Sequence, residues 1–225
     1  MILVMDRITY GDHPSQFAEL TVPVGADPVP VVVVIHGGFW MQQYDLDLGR
    51  PLAADLVAHG VAAYNVEYRR LGGDGGWPTT GDDVLAALDA LDDPRLDLGT
   101  VVALGHSAGG HLAVWAAARH DLVTGAVSQA GVLDLAAHPR SRQLLGPDPD
   151  YADASPVEQV PIGVPVVCVH GTADENVPIA QSEAFQAASG CELVRLEGVG
   201  HMDLVDVTTP AWKACRDAAL RLAGR

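Results

Sequence analysis

The sequence predicts an α/β fold in which a mostly parallel central sheet carries helices on both faces. Three observations point to it. Apolar runs of strand length alternate with stretches of helical apolar spacing along nearly the whole chain. The run Val29–Ile35 is continuous and rich in β-branched residues, as expected of a strand buried on both faces. Residues 100–104 form an apolar run that passes through Gly105-His106-Ser107-Ala108-Gly109-Gly110 straight into the helical pattern of 112–118.

Each element follows from local pattern. Residues 8–10 and 17–22 are expected to form an N-terminal hairpin, and Val29–Ile35 the first buried strand. Residues 48–59 have helical spacing and end at Gly60, which suits a C-terminal cap. The chain returns as a strand over 61–68. Residues 80–91 place Val84, Leu85, Leu88 and Leu91 at helical spacing, with Asp82 and Asp83 in the first turn, where the helix dipole favours acids. A strand over 100–104, a helix over 107–119 and a strand over 124–129 follow. The chain then reads as a strand (164–170), a helix (179–188), the strand Glu192–Leu196 and a helix (211–222). Two segments break the alternation. Residues 71–78, with a glycine run and Trp77, read as a loop. Residues 132–161 are proline-rich and acidic and read as an irregular excursion with one short helix at Ser141–Leu145, a candidate minimal lid or pocket wall. No repeat or linker divides the chain, so residues 1–225 read as one domain.

Composition narrows the classes. Of 225 residues, 48% are hydrophobic and 19% charged, enough for one sizeable core and unlike a disordered chain. The net charge of −16, from 29 acids against 13 bases, repels polyanions, so neither nucleic acid nor an anionic membrane surface is expected as a partner. Val29–Ile35 contains Pro30 and is too short to span a bilayer. Asp6 and Arg7 interrupt the apolar start 1–5 and no small-residue cleavage site follows, so no signal peptide is expected. Cys168, Cys191 and Cys215 are odd in number and widely spaced, unlike a disulfide framework or a zinc site. Cys168, inside an apolar run, reads as a core thiol. A cytoplasmic monomer or homodimer is the default expectation.

The glycine-flanked Ser107 has the layout of a nucleophile elbow: strand, strained serine, helix. A serine hydroxyl needs a neighbouring base, usually an imidazole held in one tautomer by a carboxylate. Asp174 is the acid candidate, because it follows the strand 164–170, where ligand sites gather in open α/β sheets. Glu175 is its rival, and capping a helix is the alternative role for Asp174. Of nine histidines only His201 lies downstream of Asp174, in the loop between the last strand and last helix. His106, His111 and His170 are read as structural, His170 as an organiser of the acid loop. An oxyanion hole needs backbone donors. The Ala108 amide is one, and the Gly38 or Phe39 amide in His36-Gly37-Gly38-Phe39-Trp40 is the other. Trp40, Trp77 and Met202, with Phe39, are candidates to line the pocket. Tyr68 and Arg69 are read as structural. No cofactor or metal is expected.

Taken together, these motifs resemble the α/β-hydrolase superfamily over residues 29–222, and imply that fold without a large cap domain. The His36–Trp40 turn followed by Glu67-Tyr68-Arg69-Arg70 looks like the esterase and lipase branch, which includes kynurenine formamidases, carbohydrate esterases and prolyl-oligopeptidase-like hydrolases. The resemblance implies hydrolysis of small carboxylic esters through an acyl-enzyme, with Ser107, His201 and Asp174 as the triad. The His-Gly-Gly-x-Trp form is similar to the arylformamidase motif, so the second expectation is an amidase acting on N-formylkynurenine-like substrates. A peptidase and a non-catalytic binding protein are more remote alternatives. The chain departs from relatives in having neither an inserted cap beyond 132–161 nor a β-propeller, which favours small or open-site substrates.

Overall fold

The strands β1 (Met5–Thr9), β2 (Phe17–Thr21), β3 (Val29–Ile35), β4 (Ala62–Val66), β5 (Leu96–His106), β6 (Gly125–Gln129), β7 (Val166–Gly171) and β8 (Glu192–Leu196) join one sheet in the order β1-β2-β4-β3-β5-β6-β7-β8. The hairpin of β1 and β2 is antiparallel, and β2 runs antiparallel to β4. Every other pairing is parallel. This computed structural model describes residues 5–25 and 28–225; residues 1–4 of the apolar start read above for a leader lie outside the described residues.

The helices between strands are α1 (Arg50–Ala58), α2 (Thr79–Asp89), α3 (Ala108–Ala117), the short α4 (Ser141–Leu145) and α5 (Tyr151–Ala154), α6 (Ala180–Ser189) and α7 (Pro210–Leu222). Side chains alternate across a strand, so β3 feeds two cores. Val31, Val33 and Ile35 pack with α2, α3 and Phe185 of α6, while Val32 and Val34 pack with α1 and α7. Thr209 caps α7 by accepting the Trp212 N–H at 3.1 Å, and Pro210 occupies the first turn, where no intrahelical donor is lost. Trp212 is fully buried and ties α7 to α1 through Nε1–H to Asp55 Oδ2 at 2.8 Å. Truncating such a side chain costs about 3–5 kcal/mol.

Three segments differ from the expectation. β1 spans Met5–Thr9 rather than residues 8–10, because Met5 already pairs with Thr21 of β2. β5 starts at Leu96 rather than residue 100, because Leu96 pairs with Val29 across a register shift before Val31. The intervening Asp97 accepts the Gly99 N–H at 3.0 Å, a turn-like local bond inside a strand. Residues 132–161 are also more ordered than their composition suggests. They hold α4, α5 and a 3₁₀ turn at Pro156–Gln159, and Leu133, Leu135, Leu144 and Ala154 are buried in the core. Asp153 fastens the segment to the body, accepting from Trp77 Nε1 (2.9 Å) and Arg119 (2.8 Å), while its carbonyl accepts from Trp115 Nε1 (2.9 Å). The segment is therefore a packed flank beside α3 rather than a free lid. Among the described residues no helix is long and apolar enough to cross a membrane. The three cysteines are free, with Cys168 buried on β7.

Candidate active site

Ser107 sits between β5 and α3 with φ 56° and ψ −117°, a backbone region that residues with a Cβ rarely adopt. Its surroundings hold it there. Its N–H donates to the Gln129 carbonyl at 2.8 Å and its carbonyl accepts the His111 N–H at 3.1 Å. Holding such a conformation costs on the order of 1–3 kcal/mol. Gly105 and Gly109 make the close crossing feasible: a Cβ on Gly105 would overlap the Gly109 carbonyl, and one on Gly109 the Ile35 carbonyl.

His201 and Asp174 arrive from adjacent strand ends. The loops after β7 and β8 are stitched by Thr172 N–H to Leu196 O (2.9 Å) and Ala173 N–H to Val199 O (3.0 Å). His201 Nδ1 lies 2.6 Å from Asp174 Oδ2, and both side chains are buried. The other Asp174 oxygen accepts the N–H groups of Asn176 and Val177, each at 2.8 Å. Burial alone would raise the Asp174 carboxyl. Hydrogen bonds from His170 and His201, with the Val177 amide, outweigh it and hold the group well below the carboxylate range. Glu175 is exposed and takes no part in this network. His170 donates Nε2–H to the Val177 carbonyl at 2.9 Å and accepts at Nδ1 from Ser182 at 2.8 Å, so it organises the acid loop. His106 donates Nε2–H to the His201 carbonyl at 3.0 Å. Burial, and then the neighbouring His201, push His106 down to about 3, so its imidazole is neutral.

The glycine-rich turn lies against this pair. Gly38, Phe39 and Trp40 all have positive φ (109°, 56° and 57°). Among the described residues neither the Phe39 nor the Ala108 amide donates to a protein acceptor. A buried clamp fixes the turn. His36 stacks on Tyr68 with ring centroids 4.4 Å apart, and the Tyr68 hydroxyl donates to the His36 carbonyl at 2.7 Å. Burial pushes His36 down to about 3, and its Nε2 lies 3.1 Å from Glu67 Oε1. Glu67 also accepts the Leu46 and Tyr68 amides (3.0 and 2.9 Å) and is ion-paired with buried Arg70. Arg69 pairs with Asp83 at 2.7 Å; because α2 starts at Thr79, only Asp82 lies in its first turn, and Asp83 is one position further on and anchors the segment after β4. Tyr68 and Arg69 are thus structural, as read, but the Glu67–Arg70 pair escaped sequence reasoning. Its signal was present: three charged residues, Glu67, Arg69 and Arg70, within four positions directly after a buried strand.

A pocket of about 140 Å³ brings together Ser107, His201, Gly38, Phe39 and Met202 with His106, Tyr44, Leu48 and Asn176. Tyr44, Leu48 and Asn176 are additions to the sequence-predicted set. Two expectations need correction. Trp40 is only 1% exposed, belongs to the core, and donates Nε1–H to His111 Nδ1 at 3.2 Å. Its ring packs edge-on against His111, away from a lining position. Trp77 packs edge-on against Trp115 and bonds Asp153, so it braces the 132–161 flank instead of lining the pocket. No residue of 132–161 lines this pocket; the segment reaches the site through the Val132 N–H, which donates to the Ser107 carbonyl at 3.4 Å, and through Arg140, whose guanidinium lies 4.3 Å from the Phe39 ring centroid.

The comparisons agree with this architecture. The profile of the prolyl oligopeptidase family matches residues 59–190, more than half of the chain. Esterase LipC of Mycobacterium tuberculosis is 26% identical over 89% of this chain and 60% of its own length. A probable isoprenylcysteine alpha-carbonyl methylesterase of Oryza sativa subsp. japonica is 24% identical over 89% of this chain and 58% of its own. The chain thus spans about three fifths of the length of these curated relatives. Esterase B from Lactobacillus rhamnosis superposes with a TM-score of 0.83 at 22% identity, covering 99% of this chain and 85% of that one. The elbow, the parallel sheet and the family match lead to one assignment: the chain belongs to the prolyl oligopeptidase family, on the esterase and lipase branch of the α/β-hydrolase superfamily.

Proposed function

We propose that this chain is a serine hydrolase that cleaves small carboxylic esters. The observation that carries the reading is the 2.6 Å contact between His201 Nδ1 and Asp174 Oδ2, made by an imidazole that shares a pocket with the strained Ser107. With Nδ1–H committed to Asp174, the Nε2 lone pair is the free basic site. His201 takes the proton from Ser107 Oγ as that oxygen attacks the ester carbonyl. The carbonyl oxygen becomes an oxyanion, received by the amides of Ala108 and of Phe39 or Gly38. The C–O bond to the alcohol breaks, His201 returns its proton to the departing oxygen, and Ser107 keeps the acyl group. Water, activated by the same imidazole, attacks the acyl-enzyme and releases the acid. Asp174 stays ionised throughout and stabilises the imidazolium, as its strongly lowered pKa favours. The esterases among the relatives and structural neighbours support this class of reaction. A fluorophosphonate probe and short p-nitrophenyl esters test it. Wild type should be labelled at Ser107 and turn the esters over, and Ser107→Ala should lose both; retained turnover in the variant rules out this nucleophile.

A further inference from the structure

The 140 Å³ pocket around Ser107 is not the largest hollow at this end of the sheet. A second, of about 440 Å³, shares Leu48, His106 and Met202 with it, so the two are neighbours. The second chamber falls within the size range of small-molecule sites, whereas the first has room for a short acyl group. Its wall is apolar: Ile35, Leu48, Pro51, Leu52, Met202 and Val205 line it. The shared Leu48 and Met202 are 45% and 58% exposed, so large apolar side chains border both hollows. Three carboxylates, Asp47, Asp203 and Asp206, are its acidic groups, His36 and His106 also line it, and no lysine or arginine is among the described lining residues. Asp47 is paired with Arg50, while Asp203 and Asp206 are in no ion pair among the described residues.

Position tells which half of an ester belongs here. Met202–Val205 is the 3₁₀ turn that begins directly after His201. The leaving oxygen must face His201 to receive its proton, so the group attached to that oxygen departs on the His201 side. We propose that the 440 Å³ chamber holds the alcohol arm of the substrate, and that this arm is an uncharged aliphatic or aryl group of medium size on a short acyl ester. The proposal rests on the serine-hydrolase reading above. Apolar walls favour each added methylene of the arm, and the unpaired carboxylates disfavour a negative charge on it.

Two substrate series on the purified chain decide it. The first varies the alcohol at constant acetyl: methyl, butyl, hexyl and benzyl acetate, with acid release followed by titration. The second varies the acyl group at constant p-nitrophenol, from acetate to octanoate. The alcohol series should gain about tenfold or more in kcat/KM from methyl to hexyl, and the acyl series should decline beyond butyrate. Val205→Phe, which fills the chamber wall, should reduce the hexyl-to-methyl ratio by about tenfold and leave the ratios of the acyl series alone. 6-Acetoxyhexanoate, with its terminal carboxylate, should be severalfold poorer than pentyl acetate, and salt should narrow the gap. A flat alcohol series in a chain that labels at Ser107 overturns the chamber alone, as does a Val205→Phe effect confined to the acyl series. Equal rates for 6-acetoxyhexanoate and pentyl acetate overturn the charge discrimination. A chain that does not label at Ser107 overturns the serine reading, and the chamber with it. The wild-type series stands even where Val205→Phe fails to fold.

Discussion

Replacing Ser107 by glycine should abolish turnover and yet leave a more stable protein than replacing it by alanine. Ser107 holds φ 56° and ψ −117°, where a Cβ crowds the backbone and glycine is free. Neither variant carries the hydroxyl, and Ser107 Oγ has no hydrogen-bond partner among the described residues, so its loss leaves no acceptor or donor orphaned. The difference between the variants therefore reads the Cβ alone. Strain at such a position is on the order of 1–3 kcal/mol. Glycine gives back about 0.5–1 kcal/mol through the greater freedom of its unfolded chain. The remainder, about 1 kcal/mol in favour of glycine, corresponds to about 2–4 °C in Tm for a chain of this length. Scanning calorimetry of the two variants in one buffer measures it, with fluorophosphonate labelling as a check that both are inactive. An alanine variant that melts at or above the glycine variant would refute the claim that the elbow stores strain.

Acid should destabilise the fold well before its carboxylates titrate. Burial pushes His36 and His106 down to about 3 and His111 down to about 4, whereas in the unfolded chain all three titrate near the free value of about 6.5. The unfolded state therefore binds protons first as the pH falls, and stability is lost from about pH 6.5 downward until the folded values are reached. Each histidine contributes up to about 1.4 kcal/mol per pH unit, so urea unfolding at pH 5.5 and 4.5 should differ by up to about 4 kcal/mol. Equal stabilities would contradict three buried neutral imidazoles. Below that range the low-pKa Asp174 carboxylate adds its own loss, since its stabilisation is present above the unfolded carboxylate value and disappears as acid protonates it. Glu67→Gln should prove more damaging than its modest size suggests. It leaves the buried Arg70 guanidinium without its countercharge, at a cost of about 3–5 kcal/mol, and it loosens His36 beneath the glycine-rich turn. Adding Arg70→Met should recover part of the lost Tm; a double variant no better than the single would exclude the uncompensated charge as the cause.

The elbow, the acid loop and the late histidine were legible because each is written in consecutive residues. Glycines flank Ser107 where two backbones cross, an apolar run delivers Asp174, and His201 is the last histidine of the chain. Most strand limits were legible for the same reason, with β3 and β8 falling on the predicted residues. β5 was misjudged at its start because Asp97 and Gly99 read locally as a turn, and only pairing with Val29 makes them strand. Trp40 and Trp77 were misplaced because sequence gives a ring no direction: His111, 71 residues downstream, takes the Trp40 N–H, and Asp153, 76 residues downstream, takes that of Trp77.

The sequence by itself determined the order of chemistry-bearing residues and the elements that carry them, since period, turn chemistry and glycine sterics act over a few residues. Tertiary structure alone decided what those residues face. The Glu67–Arg70 clamp under His36 and the apolar chamber beside His201 arise where β3, β4, α1 and the loop after β8 converge. Such convergence depends on strand order and packing, and burial fixes it through contacts between residues that no local pattern relates.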